Sequence, residues 1–138
     1  FCAGSFSAGE HNDCVAMAKQ FADRTHFVHL RSCYIFPNGN FTEASHLGGR
    51  GHLIELCRIF EKAEHEGKCN SGRRLPMRVD HGMTFTDEPG GVFDESNHGH
   101  NAGYTLLGRM FAMGQIQGVI ATVDDELGIE YKQPGFYD

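Results

Sequence analysis

Apolar and polar positions along this chain follow two different periods, which divide it into short strands and longer helices. Residues 25–30 and 75–79 are short runs rich in β-forming side chains, and both are too short for a helix. Phe1 and Cys2 have the pattern of a strand that began earlier and ends here, before a loop of small residues. The pattern therefore predicts three strands, each followed by a helix.

Three longer segments repeat apolar residues at helical spacing. The first starts after a capping residue at Asn12 or Asp13. The second covers residues 52–66, with Gly67 as its C-terminal cap, and the third covers residues 102–119. The apolar positions of the three stripes are, in order, Cys14, Met17, Ala18 and Phe21; Leu53, Leu56, Cys57, Phe60 and Ala63; Leu106, Leu107, Met110, Met113 and Ile116.

The remaining segments are predicted to be connections. Asn38 and Gly39 lie between apolar flanks, which predicts a hairpin over residues 34–41. Residues 83–101 form a long polar loop, and loops of this length in compact domains are usually functional. Residues 124–138 have the composition of a polar tail on the surface.

Strands that alternate with helices indicate an α/β fold with parallel strands and helical crossovers. Three parallel strands alone would leave two bare edges, and a (β/α)8 barrel needs about 250 residues. We therefore predict that residues 1–138 are the C-terminal part of a single TIM-barrel domain, namely its last three βα units. The N-terminal strands of that barrel are absent from this chain, and a small doubly wound sheet is the alternative.

Composition narrows the classes of function. The net charge is −6 and no basic patch is interleaved with aromatic residues, so nucleic acid is not an expected partner. No apolar segment approaches membrane-spanning length, so no membrane is expected either. The five cysteines fit no disulfide framework, which favours a reducing cytoplasm. Nine histidines raise the question of metal or acid–base chemistry.

One residue of metal-binding type lies at each predicted strand end: Cys2, His29 and Asp80. Neighbouring parallel strands lie about 5 Å apart, so residues at equivalent heights converge on one site. A thiolate, an imidazole and a carboxylate suit Mn²⁺, Fe²⁺ or Zn²⁺ better than Mg²⁺, which avoids sulfur. The sequence therefore predicts a divalent metal site at these strand ends.

Several motifs, in collinear order over nearly the whole chain, resemble the mannonate dehydratase family of the xylose-isomerase-like barrel type. The resemblance covers only the C-terminal part of that family's chain. The motifs are residues 1–5, Asn12-Asp13, residues 27–32, residues 41–47, residues 76–82, residues 101–104 and residues 107–109.

The resemblance implies a metal-dependent lyase of hexuronate catabolism that dehydrates D-mannonate to 2-keto-3-deoxy-D-gluconate. By position, Cys2, His29 and Asp80 match ligands of Mn²⁺ or Fe²⁺, and a further histidine ligand comes from an earlier strand of the family. His81 and Tyr104 match residues of proton transfer, with the roles of base and acid left open. Arg31 matches a polar residue beside the site and is expected to clamp the substrate carboxylate.

Three positions depart from the family pattern: Met83 replaces a histidine, the loop 83–101 is longer, and Ala102 replaces a proline. The expected partner is a sugar acid, and the full-length enzyme is expected to form a homodimer in the cytoplasm. Two alternatives remain open. One is another xylose-isomerase-like sugar isomerase or epimerase, and the other is a non-catalytic fragment of a barrel.

Overall fold

The computed structural model of the chain describes residues 1–85 and 103–131. Two short 3₁₀ turns, Ala22–Arg24 and Asn70–Gly72, supplement the regular elements. The helices are α1 (Ala3–Ser7), α2 (Cys14–Phe21), α3 (Leu53–His65) and α4 (Leu106–Leu127). The strands are β1 (Val28–His29), β2 (Cys33–Ile35), β3 (Phe41–Glu43) and β4 (Met77–Arg78).

The three predicted strand ends lie side by side and run parallel. β1 pairs with β4, with His29 opposite Arg78, and Cys2 forms an isolated parallel bridge with His29. The amide of His29 donates to the carbonyl of Phe1 at 2.8 Å. The strands are shorter than predicted, because only two residues each of β1 and β4 are regularly paired. Their order nevertheless places Cys2, β1 and β4 next to one another.

The predicted hairpin is confirmed. Strands β2 and β3 pair antiparallel, with Cys33 opposite Glu43 and Ile35 opposite Phe41. Gly39 has a φ of +83°, the left-handed conformation that glycine adopts without steric cost. The pairing of Cys33 with Glu43 brings the end of the hairpin back beside the segment that follows β1.

Of the first three helices, α2 and α3 confirm the prediction from the sequence, whereas α1 was not predicted. α2 begins where predicted, and the side chain of Asp13 accepts a hydrogen bond from the amide of Ala16 at 2.9 Å. α3 matches its predicted stripe. Residues 3–7 were predicted as a loop, but they form α1. That prediction was wrong because the small buried residues Ala3 and Gly4 pack as a short helix.

The last helix differs from its prediction at both ends. α4 starts at Leu106 and continues to Leu127, where Gly128 caps it at a φ of +69°. The predicted polar tail from residue 124 is therefore wrong in its first residues, because Val123 and Asp124 are buried in the helix. Most of the predicted loop 83–101, the predicted start of this helix at Ala102 and residues 132–138 lie outside the described residues.

The apolar core lies between the parallel strands and the helices α2, α3 and α4. Phe60 of α3 is fully buried and meets the ring of Phe1 at 5.3 Å between centroids. α3 and α4 pack against each other. This packing holds the ends of β1 and β4 in place. The largest fully buried apolar side chains are Phe60, Leu30, Leu53, Leu56, Val28 and Val123.

α4 corrects the expectation that no apolar segment approaches membrane-spanning length. Among the residues that the structure describes, this 22-residue helix is long and apolar enough to cross a membrane, with a mean hydropathy of 1.2 over an 18-residue stretch. One such helix is weak evidence of a membrane, since core helices of globular proteins meet the same test. Ala112, Ile116 and Val123 give α4 a buried apolar side in this fold.

Candidate metal centre

Cys2, His29 and Asp80 come together at the ends of the three parallel strands. Their candidate ligand atoms, one from each side chain, all lie within 4.8 Å of one another. In the part of the chain that the structure describes, residues 1–85 and 103–131, these three side chains form a group that could hold a metal ion. The convergence follows from the parallel pairing, because each residue occupies the corresponding height on its strand.

Asp80 is the most buried member of this cluster and has an unusual backbone. It is 5% exposed and has a φ of +59°, a left-handed conformation that is uncommon outside glycine, although aspartate adopts it more readily than most residues. Such strain is typical of functional sites, where the surrounding structure imposes the conformation. Here β4 ends at Arg78, and the turn at Asp80 directs its carboxylate back over the strand ends toward His29, whose Nδ1 lies 3.4 Å from Oδ2.

His29 and Cys2 are less buried than Asp80. Burial lowers the pKa of His29, although the carboxylate of Asp80 opposes this shift. The imidazole is therefore neutral at pH 7, which is the form that binds a metal. The hydroxyl of Ser5, on α1, donates to the sulfur of Cys2 at 3.2 Å.

The three side chains fit a divalent transition metal. Ligand bonds of Zn²⁺ and similar ions measure about 2.0 to 2.3 Å, so donor atoms around one ion lie within about 4.6 Å of each other. The separations within this cluster are of that size. Sulfur and nitrogen donors next to one carboxylate also match the preferences of transition metals rather than those of Mg²⁺.

His81 and Tyr104 lie against the cluster, as the sequence predicts. His81 Nε2 is 3.7 Å from Asp80 Oδ2. The hydroxyl of Tyr104 donates to Asp80 Oδ1 at 3.0 Å, and the two rings meet edge to face at 4.4 Å. The hydrogen bond to Asp80 raises the pKa of Tyr104, so the phenol keeps its proton at neutral pH.

Arg31 lies beside the cluster, but its guanidinium faces a residue that the sequence reasoning did not single out. Its Nε and Nη2 donate to the two carboxylate oxygens of Glu43 at 2.9 and 2.5 Å. Glu43 Oε1 also lies 3.1 Å from His81 Nδ1. The hairpin signal could have located Glu43, since the register brings residue 43 opposite Cys33, two residues from Arg31.

His46 is a second residue that the sequence reasoning missed. It is 2% exposed, and its Nε2 lies 3.0 Å from the carbonyl oxygen of Val79. Burial lowers the pKa of His46, so the ring is neutral and donates to that carbonyl. The contact supports the backbone directly before Asp80, and no periodic pattern in the sequence indicates it.

The fold and the site define a class: an α/β protein with a candidate metal centre at the ends of parallel strands. The family model for D-mannonate dehydratase (UxuA) matches residues 1–129, and the chain belongs to this family. The resemblance noted in the sequence motifs is confirmed.

Individual relatives agree with this assignment. The chain is 38% identical over 128 residues to mannonate dehydratase 2 of Agrobacterium fabrum, covering 91% of this chain and 30% of that protein. It is 36% identical over 125 residues to the mannonate dehydratase of Saccharophagus degradans, covering 89% and 30%. The chain thus spans about a third of the length of these curated relatives.

A solved structure supports the fold. The mannonate dehydratase of Streptococcus suis serotype 2 superposes with a TM-score of 0.72 over 99% of this chain and 36% of its own. The sequence identity is 18%, so this likeness concerns the fold. The predicted α/β class is confirmed by the mixed strands and helices and by this match.

Proposed function

We propose that the protein to which this chain belongs dehydrates D-mannonate to 2-keto-3-deoxy-D-gluconate. The observation that carries the proposal is the convergence of Cys2, His29 and Asp80 in a member of the D-mannonate dehydratase family. The relatives of known name, mannonate dehydratases, support the same substrate class.

Cys2, His29 and Asp80 would hold Mn²⁺ or Fe²⁺ together with a histidine from an earlier strand. When bound, the metal supplies a Lewis acid for the negative charge that develops next to the substrate carboxylate. Asp80 is kept in place by Tyr104 and by Arg78, whose Nη2 donates to Oδ1 at 3.2 Å. These contacts orient the carboxylate before any ligand arrives.

Dehydration needs a base for the proton on C2 and an acid for the hydroxyl that leaves C3. We assign the base to His81 and the acid to Tyr104, because the phenol holds its proton at neutral pH. His81 takes the C2 proton, the C2–C3 double bond forms, and the C3 hydroxyl departs as water with the proton of Tyr104. The resulting enol then converts to the 2-keto acid.

Arg31 is proposed to stabilise the substrate carboxylate from beside the cluster. Its side chain is 13% exposed, and its stem lies against Gly4. Glu43 engages Nε and Nη2, so the substrate carboxylate would bind through the remaining N–H groups of the guanidinium.

We further propose that the chain forms the last three βα units of a TIM barrel in a cytoplasmic homodimer. The parallel order of Cys2, β1 and β4 supports the barrel. The length of the relatives supports a larger domain, since they extend well beyond the matched residues.

The test is metal content and turnover of the complete protein with D-mannonate. We expect the wild type to release the 2-keto acid, and we expect Asp80→Asn and His29→Ala to lose bound metal and at least about 100-fold in turnover. The control is His26→Ala, because His26 contacts Asn70 away from the cluster. Full metal occupancy in both cluster variants would refute the assignment of the metal ligands. Isomerisation of D-mannonate without loss of water would refute the proposed dehydration.

A further inference from the structure

Glu43 lies behind His81, on the side away from Asp80. Its side chain is 8% exposed, and its Oε1 lies 3.1 Å from His81 Nδ1. The opposite ring nitrogen, Nε2, lies 3.7 Å from Asp80 Oδ2 and therefore faces the cluster. His81 is thus held between two carboxylates, one of which belongs to the proposed metal centre and one of which does not.

Arg31 holds Glu43 in a single orientation. The two hydrogen bonds from Arg31 engage both oxygens of the carboxylate. The stem of Arg31 lies against Gly4, where an added Cβ would meet Arg31 Cδ at 2.4 Å. A bidentate pair of this kind fixes the plane of the carboxylate, so Oε1 stays directed at His81.

The backbone at Gly103 lies against both Glu43 and His81. Gly103 has a φ of +87°, and a Cβ there would meet His81 Cβ at 2.8 Å and Glu43 Cγ at 3.0 Å. The amide of Gly82 donates to the carbonyl of Gly103 at 2.8 Å. The backbone of Gly103 therefore packs closely against both Glu43 and His81, at a position where only glycine fits.

The distances indicate which ring nitrogen of a neutral His81 carries the proton. The 3.1 Å contact between Nδ1 and Glu43 has the length of a hydrogen bond, whereas the 3.7 Å contact between Nε2 and Asp80 is too long for one. A carboxylate can only accept, so the proton belongs on Nδ1. Nε2 is then the ring nitrogen that lies nearer to the cluster.

We propose that Glu43 is a positioning residue that holds His81 in the Nδ1-protonated tautomer with Nε2 facing the proposed metal centre. The tautomer is a property of the folded protein, whereas its use in proton abstraction rests on the proposed function. The chemistry is that of a carboxylate–histidine pair, in which the carboxylate orients the imidazole without contacting the substrate.

The first experiment measures the tautomer and does not depend on activity. The complete protein is labelled with ¹⁵N-histidine and loaded with Zn²⁺, which is diamagnetic, and His81 is assigned by the signal that His81→Gln removes. We expect a protonated Nδ1 in the wild type and in Glu43→Gln, whose amide oxygen still accepts. We expect Nε2 protonation or a mixture in Glu43→Ala.

The same spectra can overturn the proposal. Nε2 protonation in the wild type, or the same tautomer in the wild type and in Glu43→Ala, would contradict it. Glu55→Ala is the matched control, because Glu55 also pairs with cations but lies on the exposed side of α3. It should leave the His81 signal unchanged.

The second experiment measures kinetics on D-mannonate. We expect Glu43→Ala to lower kcat by about 10- to 100-fold, with KM within about threefold and full metal occupancy. In the His81→Gln background the same change should cost nothing further, because Glu43 acts through His81. An additive loss would contradict the proposal, as would a change in KM alone, which would mean that Glu43 serves Arg31 instead.

The two experiments separate the failure of this inference from the failure of the proposed function. A wild type that does not dehydrate D-mannonate refutes the proposed function, while its ¹⁵N spectra still decide the tautomer. A wild type that dehydrates D-mannonate and shows no effect of Glu43→Ala in either experiment refutes the role of Glu43 alone.

Discussion

Asp80 connects the other residues of the candidate metal centre. It contacts His29, Arg78 and Tyr104, and it adopts its left-handed backbone although it is not a glycine. A strained conformation of this kind costs on the order of 1 to 3 kcal/mol, so the surrounding contacts must hold it in place. His81 follows directly in the chain, so the turn at Asp80 also sets the position of His81.

The two proton-transfer candidates can be separated from the ligands by substitution. We expect His81→Gln and Tyr104→Phe in the complete protein to keep bound metal and to lose at least about 100-fold in kcat, since each removes a proton-transfer group. Metal analysis and steady-state assays measure both quantities. Wild-type turnover in either variant would exclude that residue from proton transfer.

At the scale of elements, α4 meets the turn after β4 at a contact between two glycines. A Cβ on Gly108 would lie 1.7 Å from the carbonyl oxygen of Met83, and one on Gly82 would lie 2.3 Å from the carbonyl oxygen of Gly108. Both obstacles are backbone atoms, which cannot move aside independently. The contact sets the distance between α4 and the segment that carries Asp80 and His81.

Gly108→Ala should therefore destabilise the complete protein by several kcal/mol, of the order of the larger core substitutions. Gly48→Ala is the control, because its Cβ would meet only ordinary contacts at 3.7 Å. Thermal denaturation compares the two. Equal melting temperatures would show that α4 can shift without cost.

Two acidic side chains at the interface of α3 and α4, Glu61 and Asp124, have raised pKa values because burial disfavours their charged forms. Burial, with Asp124 and Glu64 nearby, raises the pKa of Glu61 from 4.5 to about 7. Burial also raises the pKa of Asp124. Because the folded protein holds protons that the unfolded chain releases, stability falls as pH rises from about 4.5 through about 7.

Glu61→Gln should remove the part of this pH dependence that Glu61 contributes, and leave the part that comes from Asp124. We expect a gain of about 1 kcal/mol at pH 8, discounted for partial solvent screening, and a smaller gain at pH 5. Melting temperatures at the two pH values measure it. Glu55→Gln, on the exposed side of the same helix, should not reproduce the difference, and an equal gain at both pH values would contradict the assignment to Glu61.

At the scale of the molecule, α4 carries an apolar face that the described residues leave exposed. Leu106 is 70% exposed, Met110 is 55% exposed and Met113 is 44% exposed. Beside it, a cavity of about 700 Å³ is lined by β4 and α4. We propose that the other strands and helices of the same barrel cover this face, since the relatives are about three times as long as the matched segment.

The isolated 138 residues should therefore self-associate through this face, whereas the complete protein should not associate beyond its proposed homodimer. Met110→Lys should reduce association of the isolated chain but lower the melting temperature of the complete protein. Thr122→Lys, at an exposed polar position of α4, should do neither. Size-exclusion chromatography with light scattering measures association, and an isolated chain that stays monomeric would contradict the proposal.

Local patterns predicted a large part of this fold because they depend on neighbouring residues. The apolar stripe of α3, the cap at Asp13 and the turn at Gly39 all form where local spacing and backbone preference place them. Parallel pairing then followed from the alternation of strands and helices. That pairing suffices to bring Cys2, His29 and Asp80 together.

The sequence by itself determined which residues could bind a metal and in what order they lie on neighbouring strands. Only the tertiary structure decided the rest of the site. The contact of Glu43 with His81 and the support of Val79 by His46 join segments far apart in the chain. The left-handed turn at Asp80 is accompanied by a contact of the same kind, from Tyr104. The reason is physical: periodicity records which face of an element is buried, whereas side-chain partners depend on how the buried faces meet.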